Sequence, residues 1–261
     1  MEPDAPPPTD RALDALIQWR NDLVAGAAFL TRLPVHRFAS HETGLLARSM
    51  RAFPLVGIAV GLIGWAVFAL AGALGLPVAL SALLAVLATV LATGGLHEDG
   101  LADTADGFGG GDTAARKLQI MRDSRSGAFG VLALIFSIAL RSAAIAGIAA
   151  VGPALIAAHA ISRAAMPVLM RRLDPARADG LGASAGQPDD AAVLWCLAIA
   201  AIVALGCLGI LRGLLALVIV AVLLGLFARL ARRQIGGYTG DVLGAAQQIG
   251  EIAMLLCALT A

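Results

Sequence analysis

The sequence has few charged residues for its length. Of its 261 residues 14% are charged and 59% are hydrophobic, and the mean hydropathy is +0.85. Soluble domains usually carry about 25% charged residues, so this composition excludes an ordinary soluble protein. It indicates a protein that lies in a lipid bilayer. The net charge is +1, and we expect no nucleic-acid partner.

Cysteine and the common catalytic signatures are also scarce or absent. The three cysteines, Cys196, Cys207 and Cys257, form no Cys-x-x-Cys pair and fall within apolar runs, so we expect them to be packing residues. The sequence contains no Walker A, His-Glu-x-x-His, EF-hand or zinc-ligand spacing. ATPase, protease and calcium-sensor functions therefore have no support.

The first residues lack the positive charge and apolar core of a secretory signal. Glu2 and Asp4 precede a proline-rich stretch, and the first apolar run begins at about residue 23. We expect residues 1–10 to be a disordered lead-in and residues 11–261 to form a single helical membrane domain. Residues 10–17 have the apolar spacing of a short amphipathic helix at the membrane surface.

Apolar runs of spanning length make up most of the remaining chain. About 20 helical residues cross the hydrocarbon core, and seven runs approach that length. These runs are 52–75, 77–96, 129–151, 153–170, 191–211, 213–228 and 242–260. The run 213–228 is short and 23–33 has the length of a half-span, so the expected number of spans is about seven, within a range of six to eight.

Charge is distributed unevenly about these runs. If all seven cross the bilayer, the lysines and arginines outside the runs fall on one side, and the other side carries only Arg212. By the positive-inside rule the charged side is cytoplasmic. The same side holds every acidic residue except Glu251. We therefore expect an all-α, polytopic helical membrane protein whose active-site loops lie on the cytoplasmic face.

The most informative polar segment is the acidic stretch His97-Glu98-Asp99-Gly100-Leu101-Ala102-Asp103-Thr104-Ala105-Asp106-Gly107. Asp99, Asp103 and Asp106 are spaced i, i+4, i+7, so on a helix they share one face, where like charges repel. Mg²⁺ or Mn²⁺ would neutralise them, and Mg²⁺ commonly binds substrate phosphates as well. The stretch therefore predicts a catalytic metal site for phosphate chemistry; a solvated acidic helix end is the alternative.

Other polar segments fall on the same predicted side. Residues 121–130 supply two arginines, which can hold phosphate oxygens in a fork or can simply snorkel at the membrane edge. A glycine-rich turn delivers Asp241 to a helix start, where a helix-capping role is the alternative to a ligand role. Residues 32–51 are basic. Together with the acidic stretch, these segments predict one polar site.

Three charged residues fall inside predicted spans. They are Arg141, Arg163 and Glu251. An unpaired charge near mid-bilayer costs at least ~2.5 kcal/mol, so such residues usually face the protein interior. His159 and Arg163 are spaced i, i+4 on one helix face. An ion pair between an arginine and Glu251 and a substrate contact are equally consistent with these positions.

Five segments together resemble a known family. They are Phe29-Leu30-Thr31-Arg32-Leu33-Pro34, Phe53-Pro54-Leu55-Val56-Gly57, the acidic stretch with Gly94-Gly95-Leu96 before it, Met121-Arg122-Asp123-Ser124-Arg125, and Gly237-Tyr238-Thr239-Gly240-Asp241-Val242-Leu243-Gly244-Ala245. The sequence resembles the cobalamin synthases, the family of adenosylcobinamide-GDP ribazoletransferases. The resemblance runs in order from about residue 23 to the C-terminus, and its acidic motif is highly specific.

The resemblance implies a bacterial inner-membrane enzyme of cobalamin biosynthesis with Mg²⁺ as cofactor. It would join adenosylcobinamide-GDP to α-ribazole, or to α-ribazole 5′-phosphate, and release GMP. The product would be adenosylcobalamin or its 5′-phosphate. On this interpretation Asp99 and Asp103 bind the metal, and Asp106 binds it or accepts the ribose proton. The substrate-binding residues would be Arg122, Asp123, Arg125, Asp241, Arg32 and Arg163, with Asp123 and Asp241 also candidate metal ligands.

Two other classes remain as alternatives. CDP-alcohol phosphotransferases also use aspartates and Mg²⁺, but their pattern has an arginine after Asp-Gly-x-x-Ala, whereas this chain has Asp103 four residues after Asp99 and no such arginine. An ion-coupled transporter would place its site near mid-bilayer on broken helices related by repeats. The acidic stretch falls instead at a predicted membrane edge.

Overall fold

The computed structural model describes residues 8–38, 42 and 44–259, and most of these residues are helical. Its helices are α1 (Pro8–Leu30), α2 (Leu45–Ser49), α3 (Phe53–Ala73), α4 (Val78–Thr93), α5 (Leu96–Gly110), α6 (Ala114–Ile120), α7 (Ala128–Gly147), α8 (Val151–Arg172), α9 (Leu181–Ser184), α10 (Asp190–Leu208), α11 (Ile210–Ile235) and α12 (Gly240–Leu259). Short 3₁₀ turns occupy His36–Phe38 and Met50–Ala52. Within the described ranges there is no strand, and an isolated bridge joins Pro175 to Tyr238. The all-α prediction is confirmed.

Six helical segments are long and apolar enough to cross a membrane. They are α2–α3 taken together, α7, α8, α10, α11 and α12. The pair α4 and α5 adds a seventh span only if both are counted as one, although the chain bends by 92° between them. The predicted polytopic helical membrane protein is therefore confirmed with six or seven spans. The short run 213–228 belongs to a helix that extends to Ile235, because a basic segment continues it beyond the apolar residues.

Helix α1 begins at Pro8, so it overlaps the predicted lead-in at residues 8–10, and residues 1–7 lie outside the described ranges. Its first half exposes large apolar side chains such as Leu16, which is 69% exposed, as expected of an amphipathic surface helix. Most of the predicted half-span, residues 23–33, is the last part of this helix, which ends at Leu30. Its Asp22 is fully buried and accepts hydrogen bonds from Arg48 at 3.0 Å and Arg51 at 2.5 Å, which attach α1 to α2 and to the 3₁₀ turn Met50–Ala52.

Helices α8 and α12 form the centre of the bundle. In α8, 83% of the apolar 18-residue stretch is buried inside the protein, compared with 17% of the corresponding stretch in α11. Helix α3 packs closely on α8 through Gly57 and Gly61, since a Cβ atom at Gly61 would lie 2.7 Å from the Leu155 carbonyl oxygen. Polar residues are concentrated in α8 and α12 because their faces contact protein and not lipid.

Helix α5 is fixed against the start of α12 by the close approach of their backbones. A Cβ atom at Gly100 would lie 2.8 Å from the Asp241 carbonyl oxygen, and one at Gly244 would lie 3.2 Å from the His97 carbonyl oxygen. The bend before α5 uses Gly94 and Gly95, both with positive φ, a conformation that glycine adopts without steric cost. Glycines thus place the acidic helix beside Asp241.

The two ends of the bundle differ in the length of their connections. At one end the connections are 74–77, 148–150 and Gly209. At the other end, which we call the loop-rich end, the segments 94–127, 173–189 and 236–239 join the helices. These segments contact one another: Ala176 donates its N–H to the Tyr238 carbonyl at 2.8 Å, and Tyr238 donates to the Asp174 carbonyl at 3.0 Å. All the polar segments singled out in the sequence meet at or next to this end.

Candidate active site

The acidic stretch forms α5, and its carboxylates meet Asp241 at the loop-rich end. The charges that act most strongly on Asp103 are those of Asp99, Asp241 and Asp106, together with the positive charge of Arg177. No hydrogen bond or ion pair within the described part of the chain involves the carboxylates of Asp99 or Asp103. We call Asp99, Asp103 and Asp241 the carboxylate cluster. It is an accumulation of negative charge with Arg177 as a nearby cation.

Asp241 lies in the first turn of α12 but does not cap the helix. Thr239 is the capping residue, because its Oγ1 accepts a hydrogen bond from the Val242 N–H at 3.3 Å. Thr239 also donates from Oγ1 to Asp241 Oδ2 at 3.1 Å. The helix-capping alternative for Asp241 is therefore wrong. Its carboxylate is turned toward Arg177 and α5.

Arg177 is the residue of this site that the sequence did not single out. Its Nη2 lies 3.4 Å from Asp241 Oδ2, and its side chain is 17% exposed. Its Nη1 is buried and has no hydrogen-bond partner among the described residues. The only sequence signal is that 173–189 is a long polar connection between two apolar runs. Arg177 is therefore a partly buried cation next to the carboxylate cluster, with a buried Nη1 donor that is not satisfied by the described residues.

Asp106 makes contacts of a different kind. Its Oδ2 accepts the Gly127 N–H at 2.7 Å and its Oδ1 accepts the Gly130 N–H at 2.8 Å. These donors lie at the start of α7, so Asp106 satisfies amides that no helical carbonyl can reach. Each oxygen retains a second lone pair, and the assignment of Asp106 as a ligand or base stays a prediction. What the contacts establish is that Asp106 ties α5 to α7.

The charged residues inside the spans form one buried network. Arg141, 1% exposed, donates from Nη1 to Glu98 Oε1 at 2.9 Å and to Glu251 Oε1 at 3.2 Å. Gln248 donates to Glu98 at 3.1 Å. Of the two alternatives for these residues, the ion pair between an arginine and Glu251 is present in the structure. Since Glu98 precedes Asp99, the network anchors α5 to α7 and α12.

Arg163 belongs to the same network and lies away from the carboxylate cluster. Its Nη1 is 3.1 Å from His159 Nδ1 and 3.1 Å from the His159 carbonyl oxygen, as the i, i+4 spacing indicates. The His159 Nδ1 atom lies 3.3 Å from Glu251 Oε2. The contacts of Arg163 are therefore internal, and its assignment as a substrate-binding residue stays a prediction.

The two predicted substrate-binding arginines of segment 121–130 are exposed, and Arg122 contacts the connection that carries Arg177. Arg122 Nη2 is 2.5 Å from Asp179 Oδ1, and the Arg122 side chain is 54% exposed. Arg125 donates to both oxygens of Asp123. These hydrogen bonds lower the pKa of Asp123 to about 2, so its carboxylate is ionised at neutral pH. Both arginines are at present paired with carboxylates, which an anionic substrate would have to replace.

Arg32 lies at the bend before α5. Its backbone N–H donates to the Ala92 carbonyl at 2.8 Å, and its side chain packs over Gly94 so closely that a Cβ atom there would overlap it. Arg32 is exposed. It therefore places a positive charge next to the first residues of the acidic helix.

A cavity of about 150 Å³ adjoins the carboxylate cluster. One side of it is polar and includes Asp99, Arg177 and Asp241, and the rest is apolar. The carboxylates do not converge on a single point: in the described ranges, no three histidine, cysteine, aspartate or glutamate side chains are arranged to hold a metal ion. The arrangement offers anionic oxygens, one cation and an apolar recess side by side.

The fold and this site define a polytopic helical membrane protein with an acidic centre at one end of its bundle. The model of the family described as cobalamin-5-phosphate synthase matches residues 22–259. The chain belongs to this family, and the resemblance drawn from its motifs is confirmed.

Relatives that are named adenosylcobinamide-GDP ribazoletransferase are similar to this chain over nearly its whole length. The relative from Bradyrhizobium diazoefficiens is 50% identical over 240 residues, which cover 91% of this chain and 92% of the relative. The relative from Azorhizobium caulinodans is 48% identical over 247 residues, covering 90% and 94%. The relative from Mesorhizobium japonicum is 45% identical over 246 residues, covering 92% and 93%. No solved structure matches the chain significantly.

Proposed function

We propose that this protein joins adenosylcobinamide-GDP to α-ribazole or α-ribazole 5′-phosphate, with release of GMP. The ribose 3′-hydroxyl oxygen forms a bond to the phosphorus nearest the cobinamide, the bond from that phosphorus to GMP breaks, and the hydroxyl proton passes to a base. The observation that carries the proposal is the carboxylate cluster with Arg177, at the edge of a cavity in a member of this family. This is a site with both an anion-binding group and groups able to bind a cation.

The proposal includes Mg²⁺, which Asp99 and Asp103 would hold, with Asp241 as the third candidate ligand. The donor set fits the ion, since Mg²⁺ prefers oxygen ligands and usually takes only one or two protein carboxylates. The carboxylates of Asp99 and Asp103 have no competing partner among the described residues. When bound, Mg²⁺ would neutralise negative charge on the transferred phosphoryl group and the departing GMP.

The remaining groups of the site bind and orient the diphosphate. Arg177 has a free Nη1 donor, and burial strengthens a guanidinium–phosphate contact relative to one in water. Arg122 and Arg125 lie at the exposed rim and would exchange their present carboxylate partners for substrate oxygens. Asp106 has both oxygens on backbone amides, so its role in positioning α5 against α7 is better supported than a role as base.

We also propose that the protein lies in the bacterial inner membrane with its loop-rich end in the cytoplasm. The loop-rich end carries the arginines of segments 94–127 and 173–189, whereas the opposite end carries Arg212, an asymmetry that places the basic end inside. The nucleotide-activated substrate would then be reached from the cytoplasm.

The function is tested with protein purified in mild detergent and mixed with adenosylcobinamide-GDP and α-ribazole 5′-phosphate. Chromatography would follow GMP and corrinoid products, with Mg²⁺ or with EDTA. We expect equal amounts of GMP and cobalamin 5′-phosphate with Mg²⁺, and neither with EDTA. Folded protein that forms no GMP with either ribazole substrate would contradict the proposed reaction.

The variant Asp103→Asn tests the carboxylate cluster. It keeps the shape of the side chain and removes one charge, so we expect turnover to fall by at least about 10²-fold while the protein still inserts into the membrane. Asp112→Asn is the matched control, because Asp112 is exposed in the connection that follows α5. Full activity in Asp103→Asn would remove this residue from the metal site.

A further inference from the structure

The cavity beside the carboxylate cluster has a closed apolar wall. Large side chains from four parts of the chain form this wall: Phe29 of α1, Met50 of the 3₁₀ turn, Phe53 of α3, and Met166 and Met170 of α8. The rings of Phe29 and Phe53 stack with centroids 6.3 Å apart and planes inclined by 16°. Except for Phe29, these residues are at most 5% exposed. The wall is therefore built into the protein core and does not face lipid.

The size and chemistry of the cavity suit a flat aromatic ring. A dry protein cavity of about 150 Å³ is large enough to hold a benzene-sized molecule. Methionine side chains adjust to an inserted ring and make favourable sulfur–aromatic contacts, and phenylalanine rings favour stacked or edge contacts with it. A polar or elongated group would gain less from these neighbours.

We propose that this cavity binds the benzimidazole base of the ribazole substrate. The inference rests on the proposed function and deepens it. With the base among Phe53, Met166 and Met170, the attached ribose lies at the polar side of the cavity, which Asp99 and Asp241 line. The nucleophilic hydroxyl is then held beside the carboxylate cluster by the burial of an apolar ring several atoms away.

The other parts of the two substrates fit the cavity less well. The corrin macrocycle is far larger than a cavity of about 150 Å³. Guanine carries several hydrogen-bond donors and acceptors, which an apolar wall would leave unpaired at a cost of about 1–3 kcal/mol each. The benzimidazole base has one ring nitrogen left free by the glycosidic bond, so it needs a single polar partner.

His97 is placed to provide that partner. It is a wall residue of the cavity and is 2% exposed. Its Nε2 is buried with no hydrogen-bond partner in the described part of the chain. A buried polar atom without a partner usually has a ligand or an ordered water. We assign His97 Nε2 to the free ring nitrogen of the base.

The inference is tested by filling the cavity. Ala185 is a wall residue, 5% exposed, and Ala185→Leu adds three carbon atoms to it. The matched control is Ala200→Leu, since Ala200 is 2% exposed and lines a separate cavity between α8, α10 and α11. Equilibrium dialysis with α-ribazole 5′-phosphate alone measures binding without turnover, and adenosylcobinamide-GDP is measured separately.

We expect Ala185→Leu to weaken binding of α-ribazole 5′-phosphate by about tenfold or more and to change adenosylcobinamide-GDP binding less than threefold. The riboside of unsubstituted benzimidazole lacks the two ring methyl groups of α-ribazole, so its affinity should fall less in Ala185→Leu. Ala200→Leu should leave both affinities unchanged. Met170→Ala, which removes wall atoms, should also weaken ribazole binding and serves if Ala185→Leu fails to fold.

The outcomes separate the inference from the proposed function. Unchanged ribazole binding in folded Ala185→Leu and Met170→Ala would overturn the cavity assignment, even with full wild-type turnover. Equal weakening of both substrates would show a general distortion of the site and would overturn it too. A third result would support the cavity assignment and contradict the proposed reaction. In it the wild-type protein binds α-ribazole 5′-phosphate tightly but forms no GMP, and both variants lose this binding.

Discussion

Replacing Arg141 by methionine tests whether the buried ion network holds the bundle together. Arg141 is 1% exposed and its Nη1 lies 2.9 Å from Glu98 and 3.2 Å from Glu251. Arg163 supplies the other cation of the network, so two arginines face two glutamates. Methionine fills a similar volume without charge. It leaves one buried carboxylate more than the network can neutralise.

The expected loss follows from these distances. With an effective dielectric constant of about 20, unit charges at 2.9 and 3.2 Å attract each other by about 6 and about 5 kcal/mol. Much of this attraction offsets the cost of removing the charges from water, and breaking a buried pair costs about 3–5 kcal/mol in total. We expect Arg141→Met to lower the free energy of unfolding by that amount. Adding Glu98→Gln restores electrical balance, so the double variant should lose less than the sum of the two single variants.

The assay is unfolding of purified protein by sodium dodecyl sulfate in mixed micelles, followed by far-ultraviolet circular dichroism. Arg212→Met is the control, because it makes the same chemical change at an exposed residue and should alter stability by no more than about 0.5 kcal/mol. If Arg141→Met and Arg212→Met have the same free energy of unfolding, the network contributes nothing to stability and the reasoning is refuted. Additive losses in the double variant would show that Arg141 and Glu98 act independently.

Other predictions address packing, capping, substrate binding and topology. Gly57→Ala should destabilise the protein by about 1–3 kcal/mol, because its Cβ would overlap the α8 backbone, whereas Gly72→Ala in the same helix meets no atom within 4 Å and should not; equal stabilities would contradict this packing. Asp106→Asn should cost about 1–2 kcal/mol in thermal unfolding by weakening the bonds to two α7 amides, with an unchanged melting temperature as the contrary result. Arg122→Ala should raise the KM for adenosylcobinamide-GDP about tenfold or more without changing thermal stability; an unaltered KM would remove it from the substrate site. A chain that crosses the membrane seven times and has a cytoplasmic N-terminus has its C-terminus outside the cytoplasm. Alkaline phosphatase fused to the C-terminus should therefore be active, and a fluorescent protein fused there should be dark. The reverse pattern would mean six crossings.

The helices were predictable because spans are specified by local composition. A run of apolar residues has the same meaning wherever it occurs in the chain, and each predicted run became a helix. The predicted first and last residues of the helices were less accurate where polar residues continue a helix, as at the end of α11 and the beginning of α1. There the backbone stays helical after the apolar signal has ended, because charged and polar residues are also good helix formers.

The site was predictable only as far as its residues lie on one helix. The spacing of Asp99 and Asp103 on α5 follows from the sequence, and their motif carried the family resemblance. Arg177 and the amides that bind Asp106 come from segments far along the chain, and no local pattern indicates that the loop 173–180 folds onto α12. The cavity is likewise a product of α1, α3, α8 and α12 packing together.

The rotation of α5 about its axis links the buried network to the site. Successive helical residues are about 100° apart, so Glu98 and Asp99 point in different directions, and the structure places Glu98 on Arg141 and Asp99 at the cavity. Turning α5 by one residue would put Asp99 into the apolar core and leave Arg141 without Glu98, which is strongly unfavourable for both groups. The network thus fixes the direction of the carboxylates. The double variant Arg141→Met with Glu98→Gln restores the charge balance but should still reduce turnover, because it removes the contact that sets this rotation.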